Sequence, residues 1–148
     1  MATVLRLATP DDINAIFDIR TAVVQNHLSR EQMAELGITP QLVVESMREA
    51  PCVWLAEVDG TPVAFSMVDV AEGEVFALFV LPSHENLGLG RQLMAVAEAA
   101  LFERHDTLFL ITDGRDHIRA NGFYQRLGWS MVDTAEGDDV RYQKHKVQ

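Results

Sequence analysis

Two glycines lie between a strongly apolar segment and an amphipathic one, and this arrangement is typical of an anion-binding turn. Seven apolar residues run without a break from Val75 to Leu81, which predicts a strand buried on both faces of a sheet. Gly88 and Gly90 follow, and the apolar spacing of Leu89–Arg104 is helical. A helix start presents free backbone N–H groups and the positive end of its dipole, so this turn can hold a phosphate.

The glycine pair alone is a weak signal. No Gly-Lys-Ser/Thr follows, so the segment is not a Walker loop, and Leu93 occupies the third glycine position of the dinucleotide fingerprint. A turn that binds nothing therefore remains an alternative on this segment alone. A second cluster, Arg119–Trp129, adds the aromatic pair Phe123 and Tyr124 on a predicted helix that Gly128 ends.

Together the two segments resemble the GNAT superfamily of acyl-CoA-dependent N-acetyltransferases. That family has a strand ending in apolar-x-Pro, a loop of the form Gln/Arg-x-x-Gly-x-Gly/Ala, a helix, and later Ala-x-x-Phe-Tyr-x-x-x-Gly-Phe/Trp. The matching segments here are Val80–Pro82, Glu85–Gly90 and Ala120–Trp129. Glu85 stands where the family usually has Gln or Arg. Because the family uses this loop mainly through backbone N–H groups, the resemblance still implies a pyrophosphate site.

The resemblance implies transfer of an acetyl group from acetyl-CoA to a primary amine, directly and in a ternary complex. It makes Tyr124 the general acid that protonates the coenzyme sulfur; a tyrosine packed in the core is the structural alternative. It also implies that the pantetheine arm lies in an opening beside the central strand, with the oxyanion at the Val80 N–H. The residues implied to bind the coenzyme are Phe79, Val80, Leu81, Glu85, Asn86, Leu87, Gly88, Leu89, Gly90, Arg91 and Asn121.

Two further polar residues of the second cluster have open roles. Asn121 lies one helical turn before Tyr124 and can contact the coenzyme or position the tyrosine, although the family more often has an Asn at the position of His117. Arg119 can reach the phosphates. A solvated helix face is the alternative for both Asn121 and Arg119.

No single general base emerges from the sequence. The candidates are Glu72 and Glu74 at the start of the central strand, His84 after its end, and His27 in a predicted helix break. Each of them alone is more often a surface residue. Cys52 lacks the neighbouring base or helix N-terminus that activates a thiol, so we expect it to pack in the core rather than form an acyl-enzyme. The histidines have no metal-ligand spacing, and no metal is expected.

The remaining pattern predicts an α/β fold, a GNAT-like mixed sheet flanked by helices in the order β-α-α-β-β-β-α-β-α-β-β. Turns at Asp59-Gly60 and Glu72-Gly73 predict an antiparallel meander of strands two to four, and the next strand-helix-strand unit should be parallel. The predicted strands are Thr3–Ala8, Cys52–Val58, Pro62–Val70, Val75–Leu81, Leu108–Ile111, Trp129–Val132 and Val140–Lys144.

Helix signals divide the rest of the chain. Thr9-Pro10 predicts one helix start, Ser29 with Gln32 forms a capping box for a second, and Thr39-Pro40 begins another. Asp116–Leu127 is the last predicted helix. The face of the first helix is traced by Ile13, Ile16, Phe17, Arg20, Val23 and Val24.

Composition limits the classes of partner. The chain has 148 residues, which predicts a single domain over residues 1–148. Its formal net charge of −10 argues against nucleic acid as a partner, because phosphate binding needs a basic surface. No signal peptide or membrane span is predicted, and the single cysteine favours a reducing compartment, so the expected location is cytoplasmic. The family resemblance also raises a homodimer as an expectation.

The acceptor amine is the least specified partner. The segment Gln25–Met47 is better suited to line a pocket than to build a core, and the family shapes its acceptor site in this region. A small molecule is the expected acceptor, but nothing in the sequence separates polyamines, amino acids, antibiotics and protein amines. A non-catalytic acyl-CoA-binding or regulatory module on the same fold remains the main alternative, and an interaction domain without a coenzyme site is a third.

Overall fold

A mixed β-sheet forms the centre of the molecule. The computed structural model describes residues 2–23, 28–114 and 120–147. The strands in these ranges are β1 (Thr3–Leu7), β2 (Val53–Val58), β3 (Thr61–Asp69), β4 (Glu74–Val80), β5 (Thr107–Asp113), β6 (Ser130–Thr134) and β7 (Asp139–His145). They form one seven-stranded sheet in the order β1-β2-β3-β4-β5-β7-β6.

Helices lie between the strands, where the capping signals place them. Those in the described ranges are α1 (Ile13–Ala22), α2 (Arg30–Glu35), α3 (Pro40–Glu49), α4 (Leu89–Phe102) and α5 (Ala120–Arg126). The predicted capping box is confirmed: the Gln32 N–H donates to Ser29 Oγ at 3.1 Å, and the Ser29 N–H donates to Gln32 Oε1 at 2.8 Å. In the described ranges three α-helices precede β2, in agreement with the three predicted helix starts, whereas the predicted element order gave two. Within the described ranges, no helix has both the length and the apolar character that crossing a membrane requires.

Strand pairing follows the predicted topology. Strands β2, β3 and β4 form the antiparallel meander, and the predicted turn at Gly60 has the left-handed φ of 83° that such a hairpin needs. Strand β5 is parallel to β4, as the strand-helix-strand unit predicts. Strand β7 pairs with both β5 and β6, so the last hairpin extends the far side of the sheet. The predicted fold class is confirmed.

Helices cover the two faces of the sheet. Helix α4 packs on β2, β3 and β4 through a buried stripe that includes Leu89, Leu93 and Ala97, while α1 packs on the opposite face of β3 and β4. Leu93 is fully buried, and such a side chain contributes about 2 kcal/mol by leaving water. The buried Ser66 hydroxyl donates to the Leu93 carbonyl at 3.2 Å, which satisfies a polar group between sheet and helix.

Strand β4 is not buried on both faces, and that prediction is wrong. Val75 is buried, but Phe76 is 43% exposed and the residues from Ala77 to Val80 are only partly buried. Phe76 lines two cavities between the sheet and helices α1 and α3, so this face of the strand is not fully covered. In the described ranges the edge of β4 beyond Glu74 is also not paired with β5. An apolar run indicates burial only where both strand edges and both faces are covered.

A polar network attaches the end of α5 to α4. Glu98 on α4 accepts a hydrogen bond from Trp129 Nε1 at 3.1 Å and forms an ion pair with Lys144 at 2.7 Å. The Lys144 ammonium also donates to the Leu127 carbonyl at 2.7 Å. This network holds α5, and therefore Phe123 and Tyr124, at a fixed place beside α4.

Candidate active site

The separation of two neighbouring strands opens a site at the centre of the sheet. Strand β5 pairs with β4 only where the Phe109 N–H donates to the Gly73 carbonyl at 3.1 Å and Glu74 lies opposite Phe109. Beyond that pair the two strands are not joined. We call the space between residues 77–80 of β4 and 110–113 of β5 the β4–β5 gap.

The register of β4 decides which of its backbone groups face this gap. The Leu81 N–H donates to the Val63 carbonyl at 2.8 Å, so Leu81 directs its backbone groups toward β3. In an antiparallel pair this orientation alternates, and Phe79, opposite Phe65, therefore also faces β3. Val80 and Leu78 direct their N–H and C=O groups the other way, into the β4–β5 gap.

The three backbone positions named by the family resemblance, Phe79, Val80 and Leu81, therefore differ in the strand that their N–H and C=O groups face. Val80 has the orientation that an oxyanion or pantetheine contact requires. The Leu81 N–H is occupied by β3, and its carbonyl accepts from the His84 N–H at 2.9 Å. Leu78 was not among the predicted residues, because the strand signal gives no register, and it shares the orientation of Val80.

The start of α4 follows the carboxyl end of β4, the end at which Val80 lies. After a 3-10 turn at Pro82–His84, Asn86 and Gly88 both have left-handed φ values, 65° and 80°, and α4 begins at Leu89. Gly88 is the N-cap and has no side chain to cap the helix, so the first N–H groups of α4 depend on solvent or a ligand. The loop from Glu85 to Gly88 is exposed. Gly88, in the predicted phosphate-binding turn, thus has a positive φ, a backbone conformation that glycine adopts readily.

Gly90 and Phe123 join this helix start to α5. A Cβ at Gly90 would lie 3.4 Å from Phe123 Cζ and 3.9 Å from Val80 Cγ2. The absence of a side chain at position 90 therefore lets α4, α5 and the end of β4 meet. The segments that carried the family resemblance come together at the gap.

Tyr124 lies on the β5 side of the gap. Its ring packs against Tyr142 and Phe123, with centroid distances of 5.5 and 5.7 Å, and only 8% of the residue is exposed. Burial raises the pKa of Tyr124 to about 12, although a hydrogen bond with the Thr112 side chain lowers it. Thr112 lies three residues beyond Phe109, where β5 has already left β4. The phenol is protonated at neutral pH and lies beside Thr112, on the strand that borders the gap.

Some predicted residues fall outside the described part of the chain. His27, His117 and Arg119 lie in the ranges 24–27 and 115–119, and the start predicted for the last helix at Asp116 lies there as well. The backbone of Asn121 belongs to α5, but its side chain is also outside the described part.

Glu74 differs from the other base candidates in its surroundings. It is half-buried, and burial raises the pKa of its carboxyl, with the nearby Asp69 and Glu72 carboxylates adding to the rise and Arg141 opposing it. Glu72 is exposed. His84 follows β4 in the loop, and its Nδ1 lies 2.7 Å from Ser83 Oγ. A carboxyl with a raised pKa can take up a proton nearer neutral pH than an ordinary glutamate.

Cys52 is buried, as expected for a core residue. Burial is the main cause that raises the pKa of its thiol to about 11, and the charges of Asp69 and Glu49 raise it further. The thiol is therefore protonated at neutral pH, and a protonated thiol is a poor nucleophile.

Two cavities lie on the α1 and α3 side of the sheet. The smaller, of about 120 Å³, is lined by α1, α3 and the strands β3 and β4, and includes Arg20 and Phe79. The larger, of about 330 Å³, is lined mainly by α3 and β3 and includes Cys52 and Asp69. Their linings share Ile38, Val43, Met67 and Phe76. The described part of the segment Gln25–Met47 lines both cavities, but Met33 and Val43 also belong to the hydrophobic core, so the segment has both roles.

Arg20 is a residue of this region that the sequence analysis did not assign to a site. It lies on the face of α1 that is otherwise apolar, and this charge within an apolar stripe was the signal available in the sequence. The structure places its guanidinium 4.1 Å from the centroid of the Phe79 ring.

The comparisons with known proteins agree with this geometry. The family model described as "Acetyltransferase (GNAT) family" matches residues 14–129. A mycothiol acetyltransferase of Kineococcus radiotolerans is 35% identical over 115 residues, which are 76% of this chain and 33% of that protein. An uncharacterized N-acetyltransferase of Archaeoglobus fulgidus is 34% identical over 86 residues, 52% of this chain and 58% of that protein. The chain thus spans about a third and somewhat more than half of the lengths of these two relatives.

A solved structure shows the same fold. The PaiA N-acetyltransferase of Thermoplasma acidophilum, in complex with coenzyme A, superposes with a TM-score of 0.80 at 15% identity, over 99% of this chain and all of that one. At this identity the likeness concerns the fold alone. Since the family model covers most of the chain, from α1 to the end of the second predicted cluster, the chain belongs to the GNAT family of N-acetyltransferases.

Proposed function

We propose that this chain, as one domain over residues 1–148, transfers an acetyl group from acetyl-CoA to a primary amine. The observation that carries the proposal is the orientation of the Leu78 and Val80 N–H groups into the β4–β5 gap, beside the uncapped start of α4. Donors of this kind stabilise the negative charge of an acyl-transfer intermediate when they are fixed in advance.

The donor substrate fits the residues at the start of α4. A pyrophosphate at the N–H groups that follow Gly88 would satisfy helix donors that have no side-chain cap. Coenzyme A carries such a pyrophosphate, and the complexed PaiA N-acetyltransferase shares the fold. A pantetheine arm that leaves this position along β4 meets the outward-facing groups of Val80 and then Leu78.

The reaction needs one bond formed, one bond broken and two protons moved. The neutral amine attacks the thioester carbon, and the tetrahedral oxyanion accepts hydrogen bonds from the gap-facing N–H groups of β4. The C–S bond then breaks, the amide forms, and the sulfur takes a proton from Tyr124. The proton that the amine nitrogen loses passes through water to Glu74, which lies outside the gap, four residues before Leu78 on β4 and therefore about 13 Å from it along the strand. The products are the acetylated amine and free coenzyme A thiol.

Transfer is direct in this proposal, without an acyl-enzyme. Cys52 is the single cysteine of the chain, and burial and nearby carboxylates keep its pKa near 11. Both substrates must therefore be bound together. A homodimer remains an expectation from the family resemblance.

The test is release of free thiol from acetyl-CoA in the presence of a panel of primary amines. Calorimetric titration with coenzyme A, run in parallel, measures donor binding independently of turnover. We expect both binding and amine-dependent release, and mass spectrometry should find the acetyl group on the amine. The matched control is the N,N-dimethylated form of each accepted amine, which cannot give a stable amide and should release no thiol.

The same experiment addresses the non-catalytic alternative. Tyr124 is almost entirely buried and bonded to Thr112, which is also compatible with a structural tyrosine. Coenzyme binding without thiol release from any amine would favour a binding or regulatory module. Absence of both binding and release would contradict every coenzyme-based proposal for this chain.

A further inference from the structure

Arg20 places a positive charge in an apolar cavity. Every other side chain that lines the smaller cavity is apolar, and the walls include Phe17, Met33 and Phe79. The guanidinium lies 4.1 Å from the Phe79 ring centroid, and its Nη1 is buried without a hydrogen-bond partner. Because burial disfavours the charged form, the pKa of Arg20 is lowered from its usual value.

A buried guanidinium nitrogen without a partner is costly. Arginine remains charged in proteins, so it cannot escape this cost by losing its proton, and buried polar groups almost always have partners. Arg30 shows the ordinary arrangement in the same region: it stacks on Phe17 at 5.2 Å but also pairs with Asp18 at 3.1 Å. Among the described residues, Arg141 Nε is also buried without a partner and its guanidinium lies 4.1 Å from the Phe109 ring, but Arg141 lines neither cavity. Arg20 is therefore the unpartnered arginine beside which a cavity leaves room for a partner from outside the protein.

Arg20 lies close to the strand at which the acceptor is proposed to react. The cavity is lined by Ala77 and Phe79 of β4, and these alternate with Leu78 and Val80, whose N–H groups face the β4–β5 gap. A ligand anchored at Arg20 therefore lies against the strand on which the proposed reaction takes place. The larger cavity shares four apolar lining residues with the smaller one, and this shared wall gives room for an apolar side chain. Its far side includes Ser46, Glu49 and Asp69, so the apolar part of the acceptor is expected at the shared wall.

We propose that Arg20 binds the carboxylate of the acceptor, so that the acceptors are amines that carry a carboxylate and an apolar body, of the size of an amino acid. A planar guanidinium matches a carboxylate in a two-point hydrogen bond, which makes arginine the usual recognition residue for this group. The apolar walls suit an aliphatic or aromatic side chain and disfavour a polyamine, whose second charge would meet the Arg20 cation. This inference rests on the proposed function and specifies its substrate class.

The wild-type protein provides the first test, with pairs of acceptors that differ only in the carboxylate. L-Leucine and L-phenylalanine are compared with L-leucinamide and L-phenylalaninamide in the thiol-release assay. We expect kcat/KM to be at least tenfold higher for the acids, since a buried charged hydrogen bond is lost with the amides. Near neutral pH a larger fraction of the less basic amide acceptors carries a neutral, reactive amine, so the protonation of the amine opposes the expected preference. Equal rates, or faster rates with the amides, would overturn the proposal.

Variants then assign the preference to Arg20. Arg20→Met keeps an apolar contact with Phe79. It should raise KM for the acid and so bring the ratio of kcat/KM for acid and amide to about one. KM for acetyl-CoA should stay unchanged. Arg20→Lys keeps the charge and should restore part of the preference. Arg30→Met is the matched control, because Arg30 is also stacked on a ring but already has Asp18 as its partner. Full preference in Arg20→Met would show that another group binds the carboxylate.

A binding measurement separates this inference from the proposed function. N-acetyl-L-leucine and N-acetyl-L-leucinamide are titrated calorimetrically into the wild-type protein in the presence of coenzyme A. Tighter binding of the acid by at least tenfold supports the anion site even if no amine is acetylated, in which case the proposed function fails alone. Acetylation of amines with equal binding of the two products leaves the proposed function standing and overturns the inference.

Discussion

Gly90 faces Phe123 so closely that a Cβ on the glycine would lie 3.4 Å from Phe123 Cζ. One methyl group fits this space as an ordinary contact, while a branched side chain does not. We therefore expect Gly90→Val to lower the free energy of unfolding by about 1–3 kcal/mol through overpacking. Gly90→Ala should leave it unchanged or raise it by up to about 1 kcal/mol, since alanine favours helix. Urea unfolding of both variants measures the difference, and equal stabilities would contradict the observed contact.

Gly88 allows a separate test of the phosphate-binding turn. Its φ of 80° is left-handed, so Gly88→Ala should cost about 1–2 kcal/mol of stability. If the N–H groups after Gly88 hold the pyrophosphate, relaxation of this strain moves them, and coenzyme A affinity should fall about tenfold. Calorimetric titration of coenzyme A into the variant measures the loss.

The control for that variant is Gly60→Ala in the β2–β3 hairpin. Gly60 has a φ of 83° with open space around it, so alanine causes the same backbone strain there. The two variants should lose similar stability, and only Gly88→Ala should lose coenzyme affinity. An equal loss of affinity in both would mean that general destabilisation, and not the turn, is responsible.

Local signals predicted much of the fold. The Ser29–Gln32 capping box and the Asp59-Gly60 hairpin depend on residues within a few positions of each other, and both are present in the structure. The family motifs also came together, because they lie at the start of α4 and in α5. The family resemblance implied an opening beside β4, but the exposure of its side chains was not predicted, since it depends on how elements far along the chain cover the strand.

The details of the site depend on non-local geometry in the same way. Whether Leu78 or Phe79 faces the β4–β5 gap follows from the pairing of Leu81 with Val63, and no local pattern gives that register. The surroundings of Arg20 likewise come from several elements, although its charge on an apolar helix face was visible in the sequence. Sequence reasoning thus predicted which segments form the candidate site but did not give the orientation of their groups.

Tyr124→Phe tests the proposed proton donor. The substitution keeps the ring packed against Tyr142 and removes only the hydroxyl, so the fold should survive with a loss of about 1 kcal/mol for the bond to Thr112. Turnover should fall about 10²-fold if the phenol protonates the leaving sulfur, with little change in coenzyme affinity. Steady-state kinetics with an accepted amine measure the effect, and unchanged kcat would remove Tyr124 from the mechanism.

Alkaline unfolding gives a second prediction for the same residue. Because burial raises the pKa of Tyr124 from 10 to about 12, the folded state keeps this proton over a range where the unfolded chain releases it. The stabilisation is complete below pH 10 and is lost as pH rises toward 12, with about 1.4 kcal/mol lost by pH 11. Tyr124→Phe should lack this component. Denaturant titrations of both proteins at pH 9 and pH 11 measure it, and parallel losses in the two would contradict the burial of the hydroxyl.

Glu74→Gln tests the general base. Burial and the neighbouring carboxylates raise the pKa of Glu74, so the acidic limb of the rate profile should lie above the ordinary glutamate value of 4.5. The amide cannot take up the proton, and we expect a rate reduced by at least 10²-fold without that limb. Glu72→Gln is the control, since Glu72 is exposed and should keep both the rate and the limb. An unaltered limb in Glu74→Gln would assign the base to another group.

Neighbouring charges should move that limb in opposite directions if Glu74 is the base. The groups that act on it are Asp69 and Glu72, which raise its pKa, and Arg141, which lowers it. In the wild-type protein the Glu72 N–H donates to Asp69 Oδ1 at 3.2 Å, and Asp69→Asn keeps an acceptor for this bond. The substitution removes the negative charge, so the acidic limb of the rate profile should move to lower pH. Arg141→Gln should move it to higher pH. Profiles of kcat/KM for the two variants, measured with the same amine, give the signs. A base that lies far from Asp69 and Arg141 would leave both profiles in place, because the effect of each charge on a pKa falls with distance.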